Sequence, residues 1–153
     1  MTMKTVMFLC TGNYYRSRFA EAFFNWHADQ RGVAWRATSR GLALSPANPG
    51  PMSSHTRARL AHHRIDPAPY ERMPLDVTHE DFATADHVVA VKRTEHQPLM
   101  QRRFPDWLAK VEFWEVHDLD CALPSEAMPH LESEVLALLD RLCGERTSRD
   151  SAA

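Results

Sequence analysis

Apolar residues along this chain form two kinds of pattern. Short continuous runs bounded by turn residues are typical of buried strands, and longer stretches with apolar residues every three or four positions are typical of helices. The runs predict strands at Lys4–Cys10, Val33–Ser39, His87–Lys92 and Val111–Val116. The periodic stretches predict helices at Ser17–Arg31, Ser53–His63, Glu95–Arg102 and Glu126–Cys143.

Residues at the ends of these elements support the boundaries. Gly32 and Gly144 follow the first and last predicted helices, where glycine commonly ends a helix, and Ser53 or Ser54 is a suitable N-cap. The segments 41–52 and 65–80 contain many helix and strand breakers and predict loops. The polar residues 145–153 predict a flexible tail, so we expect a single domain over residues 1–144.

Strands that alternate with helices predict an α/β fold, a parallel sheet covered by helices on both faces. Ligands of such sheets bind beyond the carboxyl ends of the strands. Cys10 lies at the carboxyl end of the first predicted strand. The candidate chemistry of the chain therefore begins at this cysteine.

The residues after Cys10 are typical of an anion-binding loop. Gly12 and Asn13 allow a tight turn whose N–H groups converge, and the first N–H groups of the following helix carry partial positive charge. Arg16 adds a planar fork that matches two phosphate oxygens. These surroundings should favour the Cys10 thiolate as a nucleophile below a bound phosphoryl group, with Ser17 as its hydrogen-bond partner. The alternative is a buried structural cysteine with a solvated arginine nearby.

Phosphoryl transfer to a thiolate also needs a group that gives a proton to the leaving oxygen. The segment His117–Asp120 follows the last predicted strand, so either Asp118 or Asp120 could reach over the Cys10 loop. The alternative for both is an ordinary turn or capping aspartate.

The composition of the chain restricts its expected binding partners and its expected cellular compartment. The net charge of -2 and the mixing of basic with acidic residues favour neither a nucleic-acid nor a membrane partner. The three cysteines match no metal-ligand spacing and no disulfide framework, so we expect no metal and a reduced, cytoplasmic protein. We find no apolar stretch of membrane-spanning length and no signal-peptide pattern.

The segment Cys10-Thr11-Gly12-Asn13-Tyr14-Tyr15-Arg16-Ser17 resembles the loop of the low-molecular-weight protein tyrosine phosphatase family, Cys-x-Gly-Asn-x-x-Arg-Ser after the first strand. The segments 20–22, 35–41 and 80–86 also resemble the family. The resemblance implies a flavodoxin-like three-layer sandwich with four parallel strands in the order 2-1-3-4. It also implies a two-step phosphocysteine mechanism without a cofactor.

The resemblance assigns roles to individual residues. Cys10 would be the nucleophile, Ser17 would stabilise its thiolate, and Asn13 would hold the loop, hydrogen-bonded to Ser39. The phosphate would be bound by the loop, that is, by Thr11, Gly12, Asn13, Tyr14, Tyr15, Arg16 and Ser17. The general acid of the family is an Asp followed by Pro. The residues that precede Asp118 match the family, although Leu119 replaces the proline. We therefore take Asp118 as the general acid and Asp120 as the second candidate.

Two residues of the loop depart from the family. Many members carry a second cysteine in this loop, and here Tyr15 stands in its place. A disulfide between Cys10 and this position is therefore excluded. Tyr14 is bulky where the phosphoarginine-specific branch has a small Thr, and its ring could stack on a phosphotyrosine ring. We expect a monomeric enzyme that hydrolyses phosphotyrosine in proteins or small aryl phosphates.

Two other functions remain as alternatives. The altered acid loop is compatible with a non-catalytic module that binds phosphate or a phosphoprotein. An arsenate reductase is the third hypothesis, but its thiol cascade needs a close cysteine pair after the third strand. No cysteine lies between Cys10 and Cys121.

Overall fold

The computed structural model describes residues 2–119 and 121–152, with side chains up to Gly144. Its centre is a sheet of four parallel strands in the order β2-β1-β3-β4, which confirms the predicted α/β fold and strand order. The strands are β1 Lys4–Cys10, β2 Trp35–Gly41, β3 His87–Ala90 and β4 Val111–Phe113. The helices are α1 Arg16–Arg31, α2 Ser54–His62, α3 His79–Thr84, α4 Arg93–Arg103 and α5 Pro124–Ala152.

Both faces of the sheet are covered because β1 is apolar on both sides. Val6 and Phe8 pack with residues of α1 and α5 in one core. Met7 and Leu9 point to the opposite face and pack with residues of α3 and α4 in a second core. The predicted apolar face of the last helix is confirmed by the burial of Leu131, Val135, Leu138, Leu139 and Leu142. The result is a three-layer sandwich with β1 at its centre.

Two predicted helix ends are confirmed. Gly32 ends α1 with φ 64°, in the left-handed region that favours glycine. Ser53 caps α2, and its side chain accepts a hydrogen bond from the His55 N–H.

The predicted end of the last helix at Gly144 is wrong, because α5 continues to Ala152. A glycine inside a helix costs about 1 kcal/mol relative to alanine, which a long helix tolerates.

The strands β3 and β4 are shorter than predicted. β3 ends at Ala90 and β4 at Phe113, although apolar residues continue beyond both. The chain after β4 still bonds to the chain after β3, since Val116 N–H donates to Val91 O and Lys92 forms a bridge with Glu115. The two segments therefore remain together past the sheet edge, next to the carboxyl end of β1.

Candidate active site

A pocket of about 190 Å³ lies at the carboxyl end of β1. Cys10 and Arg16 enter it from the ends of the β1–α1 loop, and Asp118 enters it from the segment after β4. The other residues that line it are Gly12, Tyr14, Tyr15, Asn48 and Leu119. The nucleophile, arginine and preferred acid predicted from the sequence thus share one pocket.

The Cys10–Arg16 loop (residues 10–16) turns most of its carbonyl oxygens toward the surrounding protein. The donors are Leu42 N to Cys10 O, Ala43 N to Thr11 O, Arg18 Nη1 to Asn13 O, Ser53 N to Tyr14 O and Thr56 Oγ1 to Tyr15 O. A trans peptide holds its N–H opposite its carbonyl oxygen. The N–H groups of residues 11, 12, 14, 15 and 16 therefore point away from these partners, in a loop that lines the pocket. The N–H groups of such a loop can form an anion-binding cradle where they converge.

Asn13 holds the shape of this loop from below. Its backbone has φ 50°, a left-handed conformation that asparagine tolerates. Its Nδ2 donates to Ser17 Oγ at 2.9 Å and Ser39 Oγ at 3.0 Å, so the hydrogen bond to Ser39 implied by the resemblance is present. Its Oδ1 accepts from Leu75 N and Arg72 Nη1, both at 3.0 Å. Four hydrogen bonds to one buried amide thus fix the left-handed residue.

Ser17 connects this network to the sulfur of Cys10. Ser17 Oγ lies 2.9 Å from Cys10 Sγ and accepts from Asn13 Nδ2. Because Asn13 supplies a hydrogen to the Ser17 oxygen, the hydroxyl hydrogen of Ser17 is free to donate to a thiolate. Both side chains are buried, with Cys10 only 3% exposed.

Arg16 is almost fully buried, and acceptors contact both Nη atoms of its guanidinium but not Nε. Nη1 and Nη2 donate to Oε2 and Oε1 of Glu95 at 3.2 and 3.1 Å, and Nη1 also donates to Val116 O at 3.1 Å. The second hydrogen of Nη2 goes to Asp118 Oδ2 at 3.2 Å. Nε is buried and has no hydrogen-bond partner among the described residues. The Nε–Nη2 edge is therefore the part of Arg16 that can donate to a pair of phosphate oxygens.

Negative groups surround this guanidinium. Burial disfavours its charge, but Cys10, Glu95 and Asp118 outweigh burial and raise the pKa of Arg16. Burial would likewise raise the pKa of Glu95, but the hydrogen bonds and charge of Arg16 lower it. Glu95 is therefore an anion that orients Arg16, not a proton donor.

A second layer holds Glu95 in turn. The Thr11 hydroxyl donates to Glu95 Oε1, and His96 Nε2 lies 3.1 Å from Thr11 Oγ1. His96 Nδ1 accepts from the Lys92 N–H at 3.0 Å, which places the imidazole hydrogen on Nε2, toward Thr11. Burial, with the charge of Arg16, lowers the pKa of His96 to about 3, so the ring is neutral. The Thr11 side chain thus points to α4, and only its backbone N–H is available to the pocket.

Residues 5–145 match the family model described as low molecular weight phosphotyrosine protein phosphatase. The chain belongs to this family. It is accordingly a hydrolase of phosphoric monoesters, with phosphoproteins or small phosphate compounds as the class of substrate. A low molecular weight phosphotyrosine protein phosphatase from Sus scrofa is 32% identical over 119 residues, which cover 75% of this chain and 73% of that relative.

Solved structures of other proteins share the fold of this family member. YfkJ from Bacillus subtilis has a TM-score of 0.81 and 20% identity, covering 95% of this chain and 98% of its own. The YwlE arginine phosphatase from Geobacillus stearothermophilus has a TM-score of 0.70 and 20% identity, covering 97% and 96%. At these identities the likeness concerns the fold, and it confirms the flavodoxin-like architecture.

Of the residues predicted for this phosphatase site, Asp120 lies outside the described residues. The sequence pattern predicts Glu95 only as the first residue of a helix, and its contact with Arg16 is not among the predictions. The signal was available, because Glu95 follows β3 and the carboxyl ends of all strands in a parallel sheet meet at one edge. The same rule that predicts Asp118 after the last strand thus also applies to Glu95 after β3.

Within residues 2–119 and 121–152, no cluster of three or more His, Cys, Asp or Glu side chains could hold a metal ion. In the same part of the chain, none of the helices combines the length and apolar character needed to cross a membrane.

Proposed function

We propose that this protein hydrolyses aryl phosphate monoesters, phosphotyrosine in proteins above all, through a phosphocysteine intermediate. The observation that carries the proposal is the Nε–Nη2 edge of Arg16 in the pocket that Cys10 shares, with Nε buried and without a partner among the described residues. A buried donor without an acceptor is costly, and a phosphoryl oxygen would supply the acceptor. The N–H groups of the Cys10–Arg16 loop would bind the remaining oxygens.

In the first step Cys10 Sγ attacks phosphorus, an S–P bond forms and the bond to the aryl oxygen breaks. Asp118, in its protonated form, donates its proton to the departing oxygen. Asp118 lies within reach because its Oδ2 is 3.2 Å from Arg16 Nη2, the donor that the phosphoryl group would take. Binding of the substrate would therefore release Asp118 from Arg16.

In the second step water attacks phosphorus, the Asp118 carboxylate accepts a proton from that water, and the S–P bond breaks. The leaving group is the Cys10 thiolate. The Ser17 hydroxyl, 2.9 Å from Sγ, donates to the sulfur as its negative charge returns. Inorganic phosphate and the free enzyme complete the cycle.

Tyrosine is favoured as the substrate residue by the aromatic wall of the pocket. Tyr14 and Tyr15 both line it, and Tyr14 is held at the rim by a hydrogen bond from its hydroxyl to Pro49 O at 2.5 Å. A planar aryl ring packs well against such a surface. Phosphoarginine, the substrate named for the YwlE relative, is the competing candidate because Asp118 could pair with its guanidinium.

The test is turnover of phenyl phosphate, a phosphotyrosine peptide and a phosphoarginine peptide in the presence of a chelator. We expect Cys10→Ser to abolish turnover and Asp118→Asn to lower kcat by about 10²–10⁴-fold, most for the poorest leaving group. The matched controls Cys143→Ser and Asp106→Asn should retain activity. A higher kcat/KM for the phosphoarginine peptide would overturn the substrate assignment.

A covalent intermediate is tested by adding an alcohol as a second acceptor. If phosphocysteine is common to all aryl substrates, the ratio of alkyl phosphate to inorganic phosphate will not depend on the leaving group. A ratio that changes with the leaving group would exclude the common intermediate.

A further inference from the structure

Tyr15 carries a buried hydroxyl for which the described residues offer no partner. The residue is 5% exposed, and its Oη forms no hydrogen bond among the described residues. An unpaired buried hydroxyl typically costs about 1–3 kcal/mol. Native structures keep few such groups, and many of those that remain serve function.

The position of Tyr15 is fixed by its surroundings. Its carbonyl oxygen accepts from Thr56 Oγ1 at 2.9 Å, and its ring lies 6.1 Å from the ring of His55. The side chain packs into the core between the sheet and α1 while it also lines the pocket. The Tyr15 side chain thus lines the pocket, and its buried hydroxyl forms no hydrogen bond with the described residues.

Among the neighbouring charges, that of Asp118 has the largest effect on the pKa of Tyr15. Burial and, after it, the negative charge of Asp118 raise the pKa of Tyr15 to about 12. The phenol therefore stays protonated in the neutral pH range and can only gain by donating its hydrogen to an acceptor.

Asp118 needs such a donor once Arg16 is engaged by substrate. Its Oδ1 accepts from the Leu119 N–H at 2.9 Å, and its Oδ2 accepts from Arg16 Nη2. A bound phosphoryl group would take Nη2, and the Asp118 carboxyl would then lose that hydrogen bond. Asp118 would keep its hydrogen bonds only by moving to another donor in the pocket.

We propose that Tyr15 is a positioning residue whose hydroxyl receives the Asp118 carboxyl during turnover. One carboxyl oxygen accepts from Tyr15 Oη, and the other gives its proton to the leaving oxygen or takes a proton from water. This inference rests on the proposed function, because it assigns a partner to the proposed general acid. When Arg16 Nη2 donates to the phosphoryl group in place of Asp118, Asp118 keeps the same number of hydrogen bonds by accepting from Tyr15.

The variant Tyr15→Phe removes the hydroxyl alone. With phenyl phosphate, we expect kcat to fall about tenfold, the scale of one lost hydrogen bond to a charged group. KM and inhibition by inorganic phosphate should change less than about twofold, because the loop and Arg16 are intact. Thermal stability should stay equal or rise, since the variant removes an unpaired buried hydroxyl. The control Tyr70→Phe removes a hydroxyl that bonds to Asn25 outside the pocket and should keep full activity.

The double variant Tyr15→Phe with Asp118→Asn separates this role from others. If the hydroxyl acts through Asp118, adding Tyr15→Phe to Asp118→Asn should change kcat less than about twofold. A full tenfold further loss would overturn the proposal, and so would unchanged kcat in the single variant. Weaker inhibition by phosphate in Tyr15→Phe would also overturn it, because the hydroxyl would then bind the phosphoryl group. The proposed function fails separately, on activity in Cys10→Ser or an unchanged rate in Asp118→Asn.

Discussion

The hydrogen bonds of Arg16 divide its guanidinium into a side that is positioned and a side that binds. Glu95 takes one hydrogen from each of Nη1 and Nη2, and Val116 O takes the other hydrogen of Nη1. The Nε–Nη2 edge is left for the pocket. A free arginine side chain would have to be ordered when substrate binds, whereas this one is ordered beforehand, and in the proposed mechanism that would lower the entropic cost of reaching the transition state.

Removing Glu95 should therefore impair catalysis without removing any group that touches the substrate. We expect Glu95→Ala to lower kcat/KM for an aryl phosphate by about 10–100-fold, because a misplaced Arg16 no longer matches the phosphoryl oxygens. Glu95→Gln should lose less, since its remaining carbonyl oxygen can still accept from one Nη group. Steady-state kinetics at neutral pH measure both effects.

The control for that pair is Glu115→Ala, which removes an exposed carboxylate bonded to Thr94 at the neighbouring chain segment. An increase of kcat/KM in Glu95→Ala would contradict the prediction. It would mean that the charge of Glu95 competes with the substrate for Arg16 more than it orients Arg16.

At the scale of elements, Arg18 in the first turn of α1 joins three segments of irregular backbone. Nη1 donates to Asn13 O and Pro51 O, and Nη2 donates to Tyr70 O and Arg72 O, at 2.5–3.1 Å. The side chain is fully buried, and burial with the charge of Arg72 lowers the pKa of Arg18 to about 10, still charged at neutral pH. A cation at a helix N-terminus is unfavourable, so these four carbonyl contacts account for its presence.

The variant Arg18→Met keeps the apolar length of the side chain but leaves four carbonyl oxygens without their donor. We expect the free energy of unfolding to fall by about 3 kcal/mol or more, measured by urea denaturation. Arg18→Lys can reach only some of the oxygens, so its free energy of unfolding should lie between those of the wild type and Arg18→Met. The exposed Arg36, paired with Asp29 at 2.9 Å, provides the control Arg36→Met, with an expected change within about 0.5 kcal/mol. A loss below about 1 kcal/mol in Arg18→Met would show that water replaces the arginine.

At the scale of the whole molecule, the features that neighbouring residues determine are predictable from the sequence, and those that depend on distant contacts are harder to predict. The apolar run of β1 and the cap at Gly32 are set by neighbouring residues, and both were predicted correctly. The meeting of Cys10 and Asp118 followed from a topological rule about parallel sheets. The contact of Glu95 with Arg16 depends on how α4 leaves the sheet, and the free hydroxyl of Tyr15 depends on packing from several elements. No local pattern encodes either: the position of Glu95 follows only when the parallel-sheet rule is applied to the segment after β3, and the Tyr15 hydroxyl is seen only in the structure.

Stability of the whole fold should depend on pH through His96, which is fully buried and accepts from the Lys92 N–H. Its pKa is about 3 in the folded protein, against an ordinary value near 6.5. Below pH 6.5 the unfolded chain binds a proton that the folded protein refuses, so stability falls as pH decreases toward 3. Between pH 8 and pH 5 this residue alone should remove about 2 kcal/mol from the free energy of unfolding.

Urea denaturation of wild type and His96→Asn at pH 8 and pH 5 measures this contribution. The asparagine carbonyl can still accept from Lys92 but does not titrate, so the variant should lose about 2 kcal/mol less between the two pH values. His27, whose pKa burial also lowers, titrates in both proteins and cancels in the difference. Glu95 and Glu112, whose pKa values lie below the ordinary range, act mainly below pH 5. The exposed His130 gives the control His130→Asn, and equal pH dependence in all three proteins would show that His96 is protonated as easily in the fold as outside it.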